Sequence, residues 1–452
     1  MQETIFDVGE FINNRGIGTL QFMVMLLCAT IMVVDGYDVF VMGFLLQPIA
    51  QSFGVAPAAI TSVFVVQSIG LALGSWIVSP LADRYGRRRL LLASAVLLGL
   101  LTLAATQAGS VRDLVALRFS AGLFYGSLIP NAIAITVEYA PDRLRATMVN
   151  WMFIGYTVGA AAGGAVAALL VANYGWPSAF WVGGLAPLGM AAILYFALPE
   201  SIRFCVQRNA RDPRIPALLR RLDPSLALIG AERFVLAEPA STGMPVAALF
   251  RDGRAVITPL VWLSYFMNIL VITLLGAFLP TFLRNFGGLS LAHAAAITSF
   301  YSISGIVAML VYGRLIDLYG APKVLTLTGI LATMAVTALG LIDLQSSWLY
   351  VVVFFVGAGV IAGQGGLHAL SSMIYPTRVR ATGVGWALAA GRIGGIFGPM
   401  LGGAALAGQW AAFPSFLAAG LPMLLVALAT FLIGFVLAPA DESAGRLADA
   451  AP

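Results

Sequence analysis

Two aspartates lie three residues apart inside an apolar stretch near the N-terminus. Asp35 and Asp38 are separated only by Gly36 and Tyr37, and apolar residues flank the group on both sides. A spacing of three puts both carboxylates on one face of a helix, where they repel each other. The repulsion favours a proton on at least one of them, which predicts a site that binds and releases a proton. The alternative is a structural pair, satisfied by an arginine or by backbone donors at a helix break near Gly36.

Arg118 lies in another apolar stretch and is the expected partner of the aspartates. At 1.5 Å per residue, Arg118 and the aspartates fall at similar depths in their helices. A salt bridge would keep an aspartate ionised until an anion competes for the guanidinium, which predicts roles in proton coupling and in anion binding. The alternative is a static bridge between two helices. Glu138, near the end of the same stretch, is interpreted mainly as a gate or structural bridge, with proton exit as a second role.

Arg392 is the expected contact for a substrate carboxylate. It lies about eleven residues into its apolar stretch, which puts it near the middle of a helix of that length. Nearby glycines leave room for close packing or for a ligand. A guanidinium can hold a carboxylate through two parallel hydrogen bonds. The alternative is an arginine that bridges helices near the cytoplasmic side.

Further polar and aromatic side chains could complete a pocket. His368, one turn after Gln364, could relay a proton or donate a hydrogen bond to a ring hydroxyl, and a packing role is the alternative. Aromatic rings could stack on an aromatic ligand, and Asn or Tyr could bond its hydroxyls. Each is also typical of helix packing or of a membrane interface. These candidates are Tyr37, Tyr125, Asn131, Trp151, Tyr156, Asn268, Tyr301 and Trp386.

The elements that hold these residues are long and apolar. Apolar residues make up 60% of the 452 positions and charged residues 10%, whereas a soluble domain carries roughly a quarter charged residues. A spanning helix needs about 20 mostly apolar residues, so the sequence predicts an all-α integral membrane protein. Twelve apolar runs are readable, at about 19–46, 57–79, 90–107, 114–138, 147–172, 177–198, 255–282, 292–316, 324–343, 347–374, 381–407 and 413–437.

The basic residues predict the orientation in the membrane. They concentrate in the loops after the even-numbered runs and in the long polar segment 199–254, whose prolines argue against one continuous helix. These loops and both termini are therefore expected on the cytoplasmic side of the inner membrane. The net charge of +5 then needs no nucleic-acid partner. The expected domains are an N-terminal six-helix bundle (1–198), a cytoplasmic central loop (199–254) and a C-terminal six-helix bundle (255–452).

Two short motifs recur in the second half of the chain at almost the same offset. Segment 83–86 (DRYG) returns as 317–320 (DLYG), and segment 141–147 (PDRLRAT) returns as 376–382 (PTRVRAT). Two coincidences in register indicate a duplicated, pseudo-symmetric pair of bundles with a binding site between the halves near the midplane.

A carboxylate beside several arginines predicts a gate at the cytoplasmic end of the second run. Such a network of charges can hold one conformational state and break in another. The predicted gating residues are Asp83, Arg84, Gly86, Arg87 and Arg88, with Arg314 and Asp317 as a weaker copy in the second half.

These motifs resemble the major facilitator superfamily. The stretch from Gly74 to Arg88 resembles its signature loop, and Arg118 with Gly122 resembles its second motif. The segments similar to its aromatic acid:proton symporter family are 35–38 (DGYD), 199–201 (PES) and 391–399 (GRIGGIFGP). The resemblance implies twelve transmembrane helices in two six-helix bundles. It also implies proton-coupled import of small aromatic carboxylates, such as benzoate or hydroxybenzoate type acids.

Other classes of function find less support. Two cysteines on different kinds of segment and only two histidines predict neither a disulfide nor a metal site. No phosphate loop of the Walker type and no catalytic constellation is present, so we expect no cofactor and no enzyme activity. We also expect the protein to be a monomer. Three alternatives stay open: symport of a non-aromatic organic acid or other metabolite, export of hydrophobic compounds as in multidrug exporters, and a receptor that binds without transport. Arg118 and Arg392 favour an anion over cationic drugs.

Overall fold

The computed structural model describes residues 4–226, 228, 232–236, 246–251, 253–375 and 377–448. Within these residues, twelve helices are long and apolar enough to cross a membrane, and they coincide with the twelve predicted runs. The predicted all-α membrane fold is therefore confirmed. Its helices follow from long apolar runs, because backbone polar groups in lipid must be satisfied within the segment itself.

The elements follow one another as mostly long helices joined by short loops. In chain order they are β1 (Thr4–Asp7), α1 (Val8–Asn13), α2 (Thr19–Phe53), α3 (Pro57–Ile77), α4 (Leu81–Tyr85), α5 (Arg87–Ala104), α6 (Val111–Tyr139), α7 (Arg145–Val166), α8 (Ala172–Tyr174), α9 (Pro177–Ala197), α10 (Ile202–Arg208), α11 (Arg214–Leu222), β2 (Glu232–Val235), α12 (Ile257–Gly287), α13 (Leu291–Tyr319), α14 (Ala321–Ala338), α15 (Trp348–Ile374), α16 (Thr377–Ala407) and α17 (Ala412–Ala448). A π-helical turn, Ala167–Val171, extends α7.

Several spanning helices end at other places than the apolar runs predict. Helix α2 continues to Phe53 rather than 46, α12 continues to Gly287 rather than 282, and α14 ends at Ala338 rather than 343. The first two end where the next residue is a glycine in the left-handed region, Gly54 at φ 64° and Gly288 at φ 63°. Glycine adopts this conformation without steric cost and so ends a helix. The last turns of α2 and α12 include polar residues and give a weaker apolar signal, which is why their predicted ends were too early. Helix α13 also ends later than predicted, at Tyr319 rather than 316, and α17 continues to Ala448 rather than 437.

The central polar segment is not one helix, in agreement with its prolines. It contains α10 and α11, and its strand β2 pairs in parallel with β1 near the N-terminus, with Phe234 opposite Phe6. Arg15 also makes a salt bridge with Asp223, just after α11. The N-terminal segment and the central segment are thus bonded to each other at two places.

The chain forms two compact units, each assembled from separate segments. The first comprises Met1–Asp38, Ser62–Gly163 and Asn173–Thr242, and the second comprises Val39–Thr61, Gly164–Ala172 and Gly243–Pro452. The domain boundaries at 198 and 254 stay a prediction. Pro376, which opens the second copy of one repeated motif, lies outside the described residues.

Candidate functional site

Three polar side chains from three helices meet inside the first unit. Arg118 on α6 is completely buried, and Asp38 on α2 is 1% exposed. Nη2 of Arg118 lies 2.5 Å from Oδ1 of Asp38. Gln67 on α3 joins both residues: its Nε2 donates to Oδ2 of Asp38 at 2.5 Å, and its Oε1 accepts from Nε of Arg118 at 3.2 Å. Both carboxylate oxygens of Asp38 therefore have a donor, and the three side chains close a ring, here called the triad.

Aromatic side chains surround the triad. The guanidinium carbon of Arg118 lies 5.2 Å from the centre of the Phe180 ring, within the range of a cation–π contact. The hydroxyl of Tyr37, next to Asp38, donates to the carbonyl oxygen of Ala179 at 2.8 Å. A single charge in such surroundings is costly, whereas a hydrogen-bonded pair is tolerated. The salt bridge between Arg118 and Asp38 therefore offsets part of the cost of burying both side chains.

Asp35 lies one turn before Asp38 and is 2% exposed, so both aspartates are buried. The salt bridge of Arg118 is made with Asp38. The alternative of a helix break near Gly36 is wrong, because α2 is continuous there. A Cβ on Gly36 would lie 1.9 Å from the backbone carbonyl oxygen of Tyr156 on α7. Gly36 therefore permits a close helix crossing, which fixes how α2 is rotated and where its carboxylates lie.

Glycines in α3 and α6 set the distance between Gln67 and Arg118. A Cβ on Gly74 would lie 2.0 Å from the backbone carbonyl oxygen of Leu123, and one on Gly126 would be equally close to α3. Backbones in membranes approach this closely only where side chains are absent. The two helices thus cross in direct backbone contact within a few turns of the triad, and a residue larger than glycine at either place would separate its members.

A second set of polar side chains forms a hydrogen-bonded chain between α12 and α15. Nδ2 of Asn268 donates to Oε1 of Gln364 at 2.8 Å, and Nε2 of Gln364 lies 3.3 Å from Nε2 of His368. Nδ1 of His368 lies 2.9 Å from the hydroxyl of Tyr265, which is 3.0 Å from the hydroxyl of Ser371. Three residues that the sequence analysis proposed separately are therefore brought together in the second unit.

Arg392 lies half-buried on α16, whose glycines pack against α12. A Cβ on Gly394 would lie 2.1 Å from the carbonyl oxygen of Phe266, and one on Gly398 would lie 2.5 Å from that of Leu270. Of the two interpretations of these glycines, the structure supports close helix packing. The role of Arg392 as a substrate contact stays a prediction.

The remaining pocket candidates lie in different surroundings. Tyr125 and Tyr301 are buried, whereas Trp151 and Trp386 are exposed on the surface of the chain. The amide of Asn131 donates at 2.7 Å to a carbonyl oxygen of its own helix. Asn131 therefore has a local structural bond, and its contact with a substrate stays a prediction, as do those of the four aromatic residues.

Charged side chains form a cluster at the predicted gate. Arg87, at the start of α5, lies 3.2 Å from a carboxylate oxygen of Asp83 and 2.6 Å from one of Glu138. The hydroxyl of Ser201 donates to the other oxygen of Glu138. Arg87 thus links α4 to the end of α6, and Glu138 links the end of α6 to the start of α10. The cluster ties four elements together through the guanidinium of Arg87 and the carboxylates of Asp83 and Glu138.

Glu200 completes the turn before α5. The backbone N–H of Arg88 donates to its carboxylate at 3.1 Å, so Glu200 acts as the capping acceptor that Gly86 cannot supply. Gly86 itself adopts φ 99°, which favours glycine. Arg84 points elsewhere, with its guanidinium carbon 5.5 Å from the centre of the Tyr85 ring.

The second half repeats this turn without its charges. Gly320 adopts φ 83°, as Gly86 adopts φ 99°. Arg314 and Asp317 are exposed, and no salt bridge between described residues joins them. The repeated motif therefore preserves a backbone conformation, and the ionic cluster exists only in its first copy.

Gln67, Tyr265 and Ser371 belong to these sites and were missed by the sequence analysis. Gln67 is an amide within an apolar run, and this signal could have identified it, since polar groups in spans seek partners. Tyr265 and Ser371 give no such signal, because tyrosine and serine are ordinary residues of membrane helices. Among the described side chains, no group of three His, Cys, Asp or Glu could hold a metal ion.

The fold and the buried charges define a membrane transporter. The chain belongs to the Major Facilitator Superfamily, which it matches over residues 27–237 and 261–450. It is a multi-pass membrane protein and not an enzyme. Its fold is similar to that of the xylose transporter XylE from E. coli, whose structure is described as partially occluded and inward open, with a TM-score of 0.72 at 19% identity, covering 91% of this chain and 97% of that chain.

Within the superfamily, the chain is similar to aromatic acid transporters. It is 38% identical to the gallate transporter of Pseudomonas putida over 423 residues, which are 93% of this chain and 92% of the relative. It is 35% identical to the 4-hydroxybenzoate transporter PcaK of Pseudomonas aeruginosa over 431 residues, which are 95% of this chain and 96% of the relative. The resemblance read from the motifs is therefore confirmed over nearly the whole length.

Proposed function

We propose that the protein imports small aromatic carboxylates, such as benzoate or hydroxybenzoate type acids, together with protons and by alternating access. The observation that carries this proposal is the buried triad of Arg118, Asp38 and Gln67. An anion:proton symporter needs a cationic group for the anion and a carboxyl group for the proton, and the triad holds both in direct contact. The names of the gallate and 4-hydroxybenzoate relatives support an aromatic acid as the anion.

Competition for one guanidinium couples the two ligands. A substrate carboxylate binds Arg118 in place of Asp38, because a guanidinium accommodates a carboxylate through parallel hydrogen bonds. Asp38 then lies in apolar surroundings without its counter-charge, so it takes up a proton from the outside. When this proton leaves to the cytoplasm, Asp38 becomes an anion again, returns to Arg118 and displaces the substrate. Asp35, one turn away, is the second carboxyl that can hold a proton.

Other residues act on the same cycle in this proposal. Arg392 is a further contact for the substrate carboxylate. The cluster of Arg87, Asp83 and Glu138 is a gate, since such a network of charges can hold one conformational state and break in another. We further propose that the protein acts as a monomer in the inner membrane, with both termini in the cytoplasm, as the basic loops indicate.

The test is uptake into proteoliposomes with and without an imposed pH gradient. Radiolabelled benzoate and 4-hydroxybenzoate are the substrates, and we expect accumulation above equilibrium only when the outside is acidic. A protonophore should abolish this accumulation. Uptake that does not respond to the gradient would exclude proton coupling, whichever acid is carried.

A symporter of a non-aromatic organic acid is the second candidate. Its supporting observation is that the triad offers a guanidinium, which suits any carboxylate, and that none of its three side chains carries a ring. Succinate and lactate as competitors of labelled benzoate distinguish the two candidates. Competition by the aliphatic acids at equal concentration would favour this second function.

A further inference from the structure

The hydrogen-bonded chain between α12 and α15 has a fixed direction. Nε2 of Gln364 is only a donor, so Nε2 of His368, 3.3 Å away, must be the acceptor. The ring hydrogen of a neutral His368 then lies on Nδ1 and is donated to the hydroxyl of Tyr265 at 2.9 Å. Tyr265 donates in turn to Ser371 at 3.0 Å, and Ser371 donates to the backbone carbonyl of His368 at 3.0 Å. With Gln364 as the donor to His368, each hydrogen bond of the chain therefore runs in one direction.

This direction fixes the amide of Asn268. In this arrangement Gln364 presents its Oε1 to Asn268, and this oxygen accepts from Nδ2 of Asn268 at 2.8 Å. Asn268 must then turn its own Oδ1 away from the chain. Within the described residues, no donor bonds this oxygen, although Asn268 is completely buried. A buried acceptor that receives no hydrogen bond costs folding free energy. In a transporter, such an acceptor indicates that a bound ligand supplies the hydrogen-bond donor.

Gly363 leaves space beside this oxygen. A Cβ at position 363 would have only Asn268 Oδ1 within 4 Å, at 3.6 Å. Among the described residues, no side chain other than that of Asn268 thus comes within 4 Å of the place that this Cβ would take. Gln364 and His368, on the neighbouring turns of α15, are only half-buried, so the chain of polar groups reaches a more open edge there.

We propose that Oδ1 of Asn268 accepts a hydrogen bond from a ring hydroxyl of the substrate, and that this bond selects hydroxylated aromatic acids over unsubstituted ones. Gln364 and His368 are positioning residues, because they hold the amide with its oxygen toward the substrate. This inference rests on the proposed import of aromatic acids and adds the substituent that the site recognises. A phenolic hydroxyl is the right donor, since it is small, carries one hydrogen and is attached to an apolar ring.

The test compares equilibrium binding of acids that differ only in the donor. Purified protein is titrated with hydroxybenzoates and with the fluorobenzoates of the same ring position, in which fluorine has nearly the size of the hydroxyl but donates no hydrogen. For at least one ring position, we expect the hydroxy acid to bind about tenfold more tightly, the effect of one neutral hydrogen bond. In Asn268→Leu, which keeps the size and removes the acceptor, the ratio of the two dissociation constants should fall to about one.

Gly363→Ala provides a second variant that keeps every polar group. Its methyl group would lie in contact with Oδ1 and occupy the place of the hydroxyl, so this variant should also lose the preference. Gly313→Ala on α13 is the matched control, because a Cβ there meets nothing within 4 Å, and it should keep the wild-type ratio. These two alanine variants fold without a buried cavity or an unpaired charge, so they decide the matter even if Asn268→Leu does not fold.

The binding and uptake experiments test the hydroxyl contact and the proposed symport separately, so either hypothesis can be wrong while the other holds. If wild-type protein binds hydroxy and fluoro acids equally at every ring position, or if Gly363→Ala keeps the preference, the inference is wrong, and proton-driven uptake can still hold. If a water molecule rather than the substrate donates to Oδ1, the preference has another origin, and Gly363→Ala would keep it. If the preference exists and both variants lose it while uptake ignores the pH gradient, the hydroxyl contact stands and the proposed symport fails.

Discussion

Arg118 and Asp38 are buried ions, and each depends on the other. Either Asp38→Asn or Arg118→Gln leaves one charge buried without its counter-charge, which costs about 3–5 kcal/mol in comparable soluble proteins. We expect the double variant Asp38→Asn/Arg118→Gln to recover most of this loss, because two neutral amides can bond each other. Thermal unfolding of the detergent-solubilised protein measures the effect.

Uptake by the same variants separates pairing from coupling. The double variant should be folded but should not accumulate substrate under a pH gradient, since neither the anion site nor the proton site remains. A double variant as unstable as either single one would show that the two residues do not form a mutually dependent pair. Normal accumulation by the double variant would move the coupling site elsewhere, with Asp35 as the first place to look.

Arg392→Lys tests the proposed grip on the substrate carboxylate. Lysine keeps the positive charge and loses the planar fork, so it cannot form two parallel hydrogen bonds. We expect the apparent affinity for benzoate to fall roughly tenfold, as for the loss of one charge-assisted hydrogen bond, with little change in the amount of protein in the membrane. Uptake kinetics and quantitative blotting measure the two quantities. An unchanged apparent affinity would leave Arg392 as a residue that bridges helices.

The crossing of α2 and α7 is the element-level feature that positions the aspartates. In Gly36→Ala the new methyl group would lie 1.9 Å from a backbone oxygen of α7, and backbone cannot move aside as a side chain can. We expect a loss of roughly 1–3 kcal/mol, as for overpacking of a core, together with reduced uptake. Loss of uptake without loss of stability would mean that the crossing matters for motion more than for folding.

Gly189→Ala on α9 is the matched control for this substitution. A Cβ at position 189 meets nothing within 4 Å, so alanine there adds helix propensity without a clash. It should leave the free energy of unfolding unchanged or raise it by up to about 1 kcal/mol. The melting temperature should therefore stay the same or rise slightly. A comparable loss in both variants would indicate that α-helical glycines in this protein are sensitive for a reason other than the crossing.

The orientation of the whole molecule can be measured with single cysteines at exposed positions. Asn209→Cys lies in the central segment and Asp343→Cys lies between α14 and α15. In intact cells, a membrane-impermeant maleimide should label Asp343→Cys, and it should label Asn209→Cys only after permeabilisation. Labelling of Asn209→Cys in intact cells would reverse the proposed topology.

The native cysteines should give little background in this experiment. Cys28 and Cys205 are both buried. Burial raises the pKa of the Cys205 thiol, which lies outside the spanning helices, to about 11. Very little of it is therefore thiolate at neutral pH, and the thiolate is the form that reacts. Wild-type protein in permeabilised cells serves as the control.

The two halves of the molecule share their turns and differ in their charges. Gly86 and Gly320 adopt the same backbone conformation at corresponding loops, whereas the triad has no charged copy in the second half and Arg392 has none in the first. We therefore expect the first half to handle protons and the second half to grip much of the substrate. The hydroxyl contact proposed at Asn268 belongs to the same division.

The sequence by itself determined the features that depend on local composition. Twelve apolar runs predict twelve spanning helices, because each run must satisfy its backbone bonds alone in lipid. The same local view detected Asp35, Asp38, Arg118 and Arg392 as costly charges in apolar surroundings. It also placed Gly36 at a special position, although it offered a helix break where the structure has a crossing.

Only the tertiary structure decided which buried groups are partners. Arg118 forms its salt bridge with Asp38, and Gln67 closes the ring from a third helix. Likewise, Tyr265 and Asn268 on α12 join His368 and Gln364, about a hundred residues away on α15. Such pairings depend on how far each helix is rotated about its axis and how closely it crosses its neighbour. Backbone contacts at glycines far apart in the chain set both quantities, and hydropathy along the sequence contains neither.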